Sequence, residues 1–199
     1  MIMPTATDVS VVSVGSVPWG DVVKVFGTRG DPARCWCQFF KVPNAGWESG
    51  ESGVFRAMLE EQVRANDPAP GVIAFLDGEP VGWCAIEPRM KYERLRRAKV
   101  VTEGSDQDPD DASVWAVTCF VVRVGFRRRG VGAALLSGAV EQARGHGARV
   151  IEGYPVDTKE RAKSSSTELY HGTVSLFAGA GFEVISRPTK DRAVVQLVL

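Results

Sequence analysis

One stretch of this 199-residue chain constrains its fold more than any other. An apolar run from Val114 to Val122 passes through the basic bend Arg123-Val-Gly-Phe-Arg-Arg-Arg-Gly130 into a helical pattern that starts at Val131. Alternation predicts Trp115, Val117, Cys119 and Val121 on one sheet face, with Val114, Ala116, Thr118, Phe120 and Val122 on the other. Both faces are mostly apolar, as expected of a central strand. Beyond the bend, Val131, Ala134, Leu135, Gly138 and Ala139 recur at helical spacing. Leu136, Val140 and Ala143 widen the stripe, and Gly145 and Gly147 supply a stop. Arg127, Gly130 and Gly132 stand in the order Arg-x-x-Gly-x-Gly, where backbone N–H groups can converge on an anion at the helix start. Arg127, Arg128 and Arg129 add positive charge to a helix end that already carries about half a unit. The unit suits a pyrophosphate.

Two familiar phosphate-binding patterns fail here. No Gly-x-x-x-x-Gly-Lys-Ser/Thr occurs, which excludes a P-loop. Gly130-Val131-Gly132 opens a dinucleotide fingerprint, but Leu135 stands where its third glycine must lie for close helix packing. Elsewhere the pattern is α/β without repeats. Val9 to Val14 reads as a strand, Trp19 to Phe26 as a helix after Pro18, and Val54 to Arg64 as an amphipathic helix with Phe55, Met58, Leu59 and Val63 inward. Val72 to Leu76 and Val81 to Ile86 flank the hairpin signal Asp77-Gly78. Arg149 to Tyr154 is a further strand, followed by a polar excursion from Asp157 to Thr167 expected near the site. Cys35 to Phe40 is compact, aromatic and unclassified.

The bend and its surroundings resemble the GNAT (Gcn5-related) N-acetyltransferase family, whose Arg/Gln-x-x-Gly-x-Gly/Ala signature matches Arg127, Gly130 and Gly132. The likeness is specific from Val72 to Leu199 and loose over residues 1–71. It implies a single domain over 1–199, with a mixed, mostly antiparallel central sheet flanked by helices. It also implies acetyl-CoA as cosubstrate, with the strand at Phe120, Val121 and Val122 bonding the pantetheine arm. The amides and side chains of Arg127, Arg128, Arg129, Gly130, Val131, Gly132 and Ala133 would hold the pyrophosphate. Val174 to Phe182 resembles the family's next helix ending in Gly-Phe, and strands Glu183 to Ser186 and Ala193 to Leu199 follow. Cys35-Trp36-Cys37-Gln38, Gly82-Trp83 with Pro88-Arg89, and Glu152-Gly153-Tyr154-Pro155 resemble a subgroup of that family.

The implied reaction is direct acyl transfer from a thioester to a primary amine of a small molecule or peptide. The amine must lose a proton and the departing thiolate gains from a donor. Amides near Phe120 to Val122 are placed to stabilise the oxyanion. The resemblance puts Phe177 beside the cofactor, at a position where the family commonly has a proton-donating tyrosine; phenylalanine cannot donate. Tyr170 is the first substitute, with His171 or water next, since a thiol leaves readily without help. For the base, alternation in Trp83-Cys84-Ala85-Ile86-Glu87 puts Glu87 on the face of Trp83 and Ala85. Glu87 is expected to face a site floored by Trp83 and Trp115, with Trp36, Trp83 and Trp115 shaping an acceptor pocket or packing in the core.

Charge and cysteines narrow the class. The 24 basic and 24 acidic residues cancel, and the basic stretch Arg89 to Lys99 precedes an acidic one from Glu103 to Asp111, so no nucleic-acid partner is expected. That acidic loop is a candidate attractor for a cationic amine. No apolar run is long enough to span a membrane, and the expected compartment is the cytoplasm. Cys35, Cys37, Cys84 and Cys119 lack metal-ligand spacing, so no metal is expected, and Cys84 and Cys119, inside apolar strands, are expected to be buried reduced thiols. A monomer or homodimer fits equally. The competing classes are a CoA-binding module that has lost catalysis and an interaction protein using the basic stretch.

Overall fold

The structure, a computed structural model, describes residues 9–65, 67–158 and 169–199. Most of the polar excursion from Asp157 to Thr167 therefore lies outside the described residues. In chain order the elements are β1 (Val9–Ser13), α1 (Trp19–Phe26), α2 (Gly30–Cys35), α3 (Asn44–Ser49), α4 (Ser52–Ala65), β2 (Gly71–Leu76) and β3 (Glu79–Pro88). There follow α5 (Glu93–Arg96), α6 (Lys99–Thr102), β4 (Val114–Val122), α7 (Val131–Gly145), β5 (Val150–Gly153), α8 (Val174–Gly179), β6 (Glu183–Thr189) and β7 (Arg192–Val198). Short 3-10 turns cover Arg89–Lys91 and Leu169–His171.

The seven strands form one sheet in the order β1-β2-β3-β4-β5-β7-β6, antiparallel except for β4 beside β5. The expected mixed, mostly antiparallel sheet flanked by helices is what the chain forms. β4 lies at its centre, as two apolar faces require. The β2–β3 hairpin closes through Asp77 and Gly78, both at positive φ (53° and 79°), the geometry an Asp-Gly pair favours.

The sheet separates two layers. On one face α7 and α8 cover Val72, Cys84, Ile86, Trp115, Val117 and Phe120. On the other, α1, α2 and α4 bring Phe26, Trp36, Phe55 and Leu59 against Ile73, Trp83, Ala85 and Val121. A smaller cluster of Tyr92, Leu95, Val101, Ala116, Tyr154 and Val194 lies beneath α5 and α6.

β4 departs from strict alternation. Ala85 pairs with Cys119 and Ile86 with Val117, which leaves Thr118 as an extra residue on β4. The faces exchange at that bulge. Trp115 and Val117 share the α7 face with Phe120, whereas Cys119 and Val121 lie on the other. The expected common face for Trp115, Val117, Cys119 and Val121 is thereby corrected.

Candidate functional site

β4 and β5 run parallel from Val114↔Val150 to Val117↔Gly153 and then part, while β4 continues to Val122. Among the described residues no strand pairs with the β5-facing edge of residues 118–122, where the Thr118 and Val122 carbonyls are already engaged by His171 Nδ1 and Arg127 Nε. The bend from Arg123 to Gly130 follows directly. Its first bond runs from Phe126 N–H to Arg123 O (3.1 Å), and at its far end Ala134 N–H donates to Gly130 O (3.0 Å). The amides at the start of α7 are the orphan donors of a helix N-terminus. Gly130 is the N-cap in left-handed geometry (φ 78°) and carries no side-chain oxygen to occupy them.

The three arginines stay at the surface. Arg127 Nε donates to Val122 O (3.3 Å), the Arg129 guanidinium stands 5.7 Å from the Phe126 ring centre, and Arg128 itself has φ 60°. Arg123 is tied back to Glu79 (2.6 Å) and Pro80 O (2.8 Å). Next to the bend, an open groove of about 580 Å³ runs between α7 and α8, lined by Ala133, Ser137, Val140, Ser175, Leu176 and Ala180. The uncapped helix start lies beside this groove, whose lining begins at Ala133.

Phe177 does not open onto that groove. It is wholly buried, edge-on to Phe120 (6.0 Å) and Phe182 (5.0 Å). Its ring occupies the space above Gly153, where an added Cβ would lie 2.6 Å from the ring tip. Apolar packing at the point where β4 and β5 separate has claimed the Phe177 ring. Phe177→Tyr is expected to lower stability by about 1–3 kcal/mol, because the new hydroxyl enters a filled apolar space aimed at β5. Urea unfolding of the variant checks this.

The three tryptophans are core residues. Trp36 stacks on Phe26 (4.8 Å), and Trp83 meets the same ring edge-on (5.5 Å). Trp115 lies across the sheet, packed towards His146 (6.0 Å), so it cannot share a floor with Trp83. Glu87 does lie on the Trp83 side, paired with Ala116 across the strands. It is fully buried, its carboxylate held by the Lys41 ammonium and, at 3.6 Å, by Lys91. Burial pulls the Lys41 ammonium below its ordinary range, with the Glu87 carboxylate working against that shift.

At the bulge stands His171, with the ring of its chain neighbour Tyr170 centred 3.9 Å from its own. Their 3-10 turn is stitched to the strand-end region by Val156 N–H to Gly172 O (3.1 Å) and Val174 N–H to Val156 O (3.3 Å). Thr173 caps α8 by accepting from Leu176 N–H (3.2 Å). Burial, assisted by Cys119, pushes the half-buried Tyr170 hydroxyl up to about 12. His171 is 5 % exposed, with Nδ1 3.2 Å from the Thr118 carbonyl. Burial, and then the Arg192 guanidinium, hold it well below the usual imidazole range.

A stability effect follows from that shift. The unfolded chain binds a proton at His171 below about pH 6.5 and the folded chain does not, so acidification favours unfolding. Stability should fall by up to about 1.4 kcal/mol per pH unit between pH 6.5 and 5, before most carboxylates titrate. His171→Asn should flatten that slope in denaturant titrations run at several pH values.

A second polar cluster was not assigned from sequence. Arg89 and Glu152, both buried and 63 residues apart, bond at 2.7 Å, and Ser105, Tyr154 and Gln196 all donate to the same carboxylate. The cluster unites Pro88-Arg89 with Glu152-Gly153-Tyr154-Pro155, two segments noted for resemblance alone. The acidic loop is fastened by it. Asp110 pairs with Arg96, Asp111 with Arg149 (3.0 Å), and Asp106 accepts from Gln196 (2.7 Å). Arg97 and Lys99 pair with Glu93 (2.9 Å) and Glu103 (3.5 Å). Two ion pairs, Arg96 with Asp110 and Lys99 with Glu103, join the basic stretch to the acidic one.

Among the described residues, no helix is long and apolar enough to cross a membrane, and no cluster of metal-ligating side chains occurs. A family model described as the acetyltransferase (GNAT) family matches residues 35–164. No curated protein matches the chain. Among solved structures, an N-acetyltransferase from Staphylococcus aureus Mu50 is similar over 96 % of this chain and 99 % of its own, with 11 % identity and a TM-score of 0.57. A ribosomal-protein-alanine N-acetyltransferase from Brucella melitensis is similar over 96 % and 99 %, with 16 % identity and a TM-score of 0.55. A protein from Salmonella typhimurium, solved with its cofactor acetyl-CoA, is similar over 98 % and 95 %, with 13 % identity and a TM-score of 0.53. At such identities the likeness concerns the fold.

Proposed function

The chain belongs to the acetyltransferase (GNAT) family, and from that membership we propose that it moves an acetyl group from acetyl-CoA to a primary amine by direct attack. The observation that carries this reading is the β4 edge at 118–122 opening straight onto the uncapped start of α7. Phe120, Val121 and Val122 offer backbone groups to the pantetheine arm. The amides from Arg127 to Ala133, with the exposed Arg128 and Arg129, receive the pyrophosphate. When bound, acetyl-CoA supplies an activated acyl carbon and a thiol leaving group. The acceptor is the amine of a small molecule or peptide, and no covalent enzyme intermediate is required. Four free cysteines suit residence in the reducing cytoplasm.

Tyr170 is the proton donor in this reading. Its hydroxyl remains protonated at neutral pH, and its ring lies against His171, which bonds the bulge residue Thr118. Tyr170→Phe is expected to reduce kcat by about 10–100-fold, at or below the lower end of acid–base effects because a thiolate leaves readily. Its affinity for acetyl-CoA should stay unchanged, which titration calorimetry checks.

The test of the function is calorimetry with CoA and acetyl-CoA, followed by thiol release and product mass over a panel of amines. Folded protein that takes up neither coenzyme would sink the reading. The buried Phe177 favours one alternative, a CoA-binding module without catalysis, marked by binding without amine-dependent thiol release.

A further inference from the structure

Amide formation requires the attacking nitrogen to shed a proton, and the carboxylate nearest to hand is badly placed. Glu87 is sealed behind the Lys41 ammonium, with no exposed surface. The bulge itself offers another group.

We propose that His171 is the base that takes the proton from the attacking nitrogen as the C–N bond forms. This rests on the acetyl-transfer reading and names a catalytic residue within it. Nδ1 lies 3.2 Å from the Thr118 carbonyl, which only accepts, so that nitrogen carries the hydrogen and Nε2 presents its lone pair. Thr118 is the bulge residue, two positions before Phe120 on the unpaired edge. The backbone that would receive the thioester arm therefore also aims the imidazole. Phe40, with its ring centre 5.5 Å from that of His171, and Tyr170 hold the ring in place.

Burial, and then the Arg192 guanidinium, disfavour an imidazolium, which agrees with the hydrogen-bond geometry in leaving the Nε2 lone pair without a proton. A free ammonium is far too weak an acid for such a base, but the nitrogen becomes much more acidic once bonded to the acyl carbon. Proton transfer to Nε2 is then well matched. The neutral amine attacks the acyl carbon, the C–S bond breaks, and the sulfur receives the Tyr170 proton. His171 takes the nitrogen's proton and passes it through solvent to restore Tyr170. One amine and one thioester yield one amide and one thiol, with no net change in protons.

Two measurements test the assignment. His171→Asn keeps an N–H donor near the Nδ1 position and removes Nε2. With acetyl-CoA and spermidine, L-lysine, kanamycin or an alanine-initiated tetrapeptide, thiol release should fall at least 100-fold while acetyl-CoA affinity changes less than threefold, within the span general-base catalysis contributes. Independently of any acceptor, nitrogen-15 correlation spectra from pH 6 to 8 should show His171 protonated at Nδ1 alone. The chain has two histidines, so the variant identifies the signal. Undiminished turnover in His171→Asn, or a proton on Nε2, overturns the proposal and leaves acetyl transfer standing. Wild-type protein that binds no acetyl-CoA overturns the underlying reading instead.

Discussion

Glu152→Ala is expected to lower the free energy of unfolding by about 3–5 kcal/mol, a large share of the roughly 5–15 kcal/mol that holds a domain together. The loss arises from what remains behind. Arg89 is 1 % exposed, and its guanidinium bonds Glu152 (2.7 Å), Ser105 Oγ (2.6 Å) and the carbonyls of Gln107 (3.0 Å) and Asp108 (2.7 Å). Without the carboxylate it becomes a buried, uncompensated cation, and the Tyr154 hydroxyl loses its 2.7 Å acceptor. The double variant Arg89→Met with Glu152→Met removes charge from both partners and should cost less than Glu152→Ala alone. Urea midpoints for the two variants check the order. The same loss should loosen the loop from Ser105 to Asp108, seen as faster amide exchange there.

Gly132→Asp should do the reverse, sparing the fold while weakening coenzyme binding. A Cβ at Gly132 would meet nothing nearer than Leu176 at 3.9 Å, so the side chain fits. A carboxylate in the first turn of α7 interacts favourably with the helix dipole, by about 0.3–1 kcal/mol. That carboxylate would occupy the amides on which the pyrophosphate reading depends and would repel its negative charge. Affinity for acetyl-CoA should fall at least 100-fold, about 2.7 kcal/mol, with an unfolding midpoint equal to or above that of the wild type. Calorimetry and thermal unfolding on the same sample separate the two effects. Full affinity in Gly132→Asp would show that the amides at the start of α7 do not hold the coenzyme.

The central unit was legible because its signals are local. Alternation over Val114 to Val122, three arginines and two glycines in the bend, and a 3.6-residue stripe from Val131 each report on neighbours along the chain. The helix Trp19–Phe26 has the bounds expected, and the Asp77-Gly78 turn adopts the backbone its residues favour. Facing was legible only up to the bulge. Nothing local in Thr118 marks it as the extra residue, because a bulge is defined by the register of the partner strand. That single offset carried Trp115 to the face opposite Trp83 and Glu87.

Site residues followed the same division. Tyr170 and His171 were named as substitutes for a missing tyrosine, but their hold on the bulge depends on contacts with Thr118 and Val156 that are distant in sequence. Glu87 was visible as a carboxylate at a strand end, and its burial against Lys41 was not. Short-range periodicity and backbone freedom make the layered α/β sheet, the central strand and the glycine-bearing start of the following helix readable from the chain alone. Which side chains meet where the strands part is set by long-range packing. Burial and cross-strand register bring together residues as far apart as Arg89 and Glu152, and no spacing along the chain encodes that meeting.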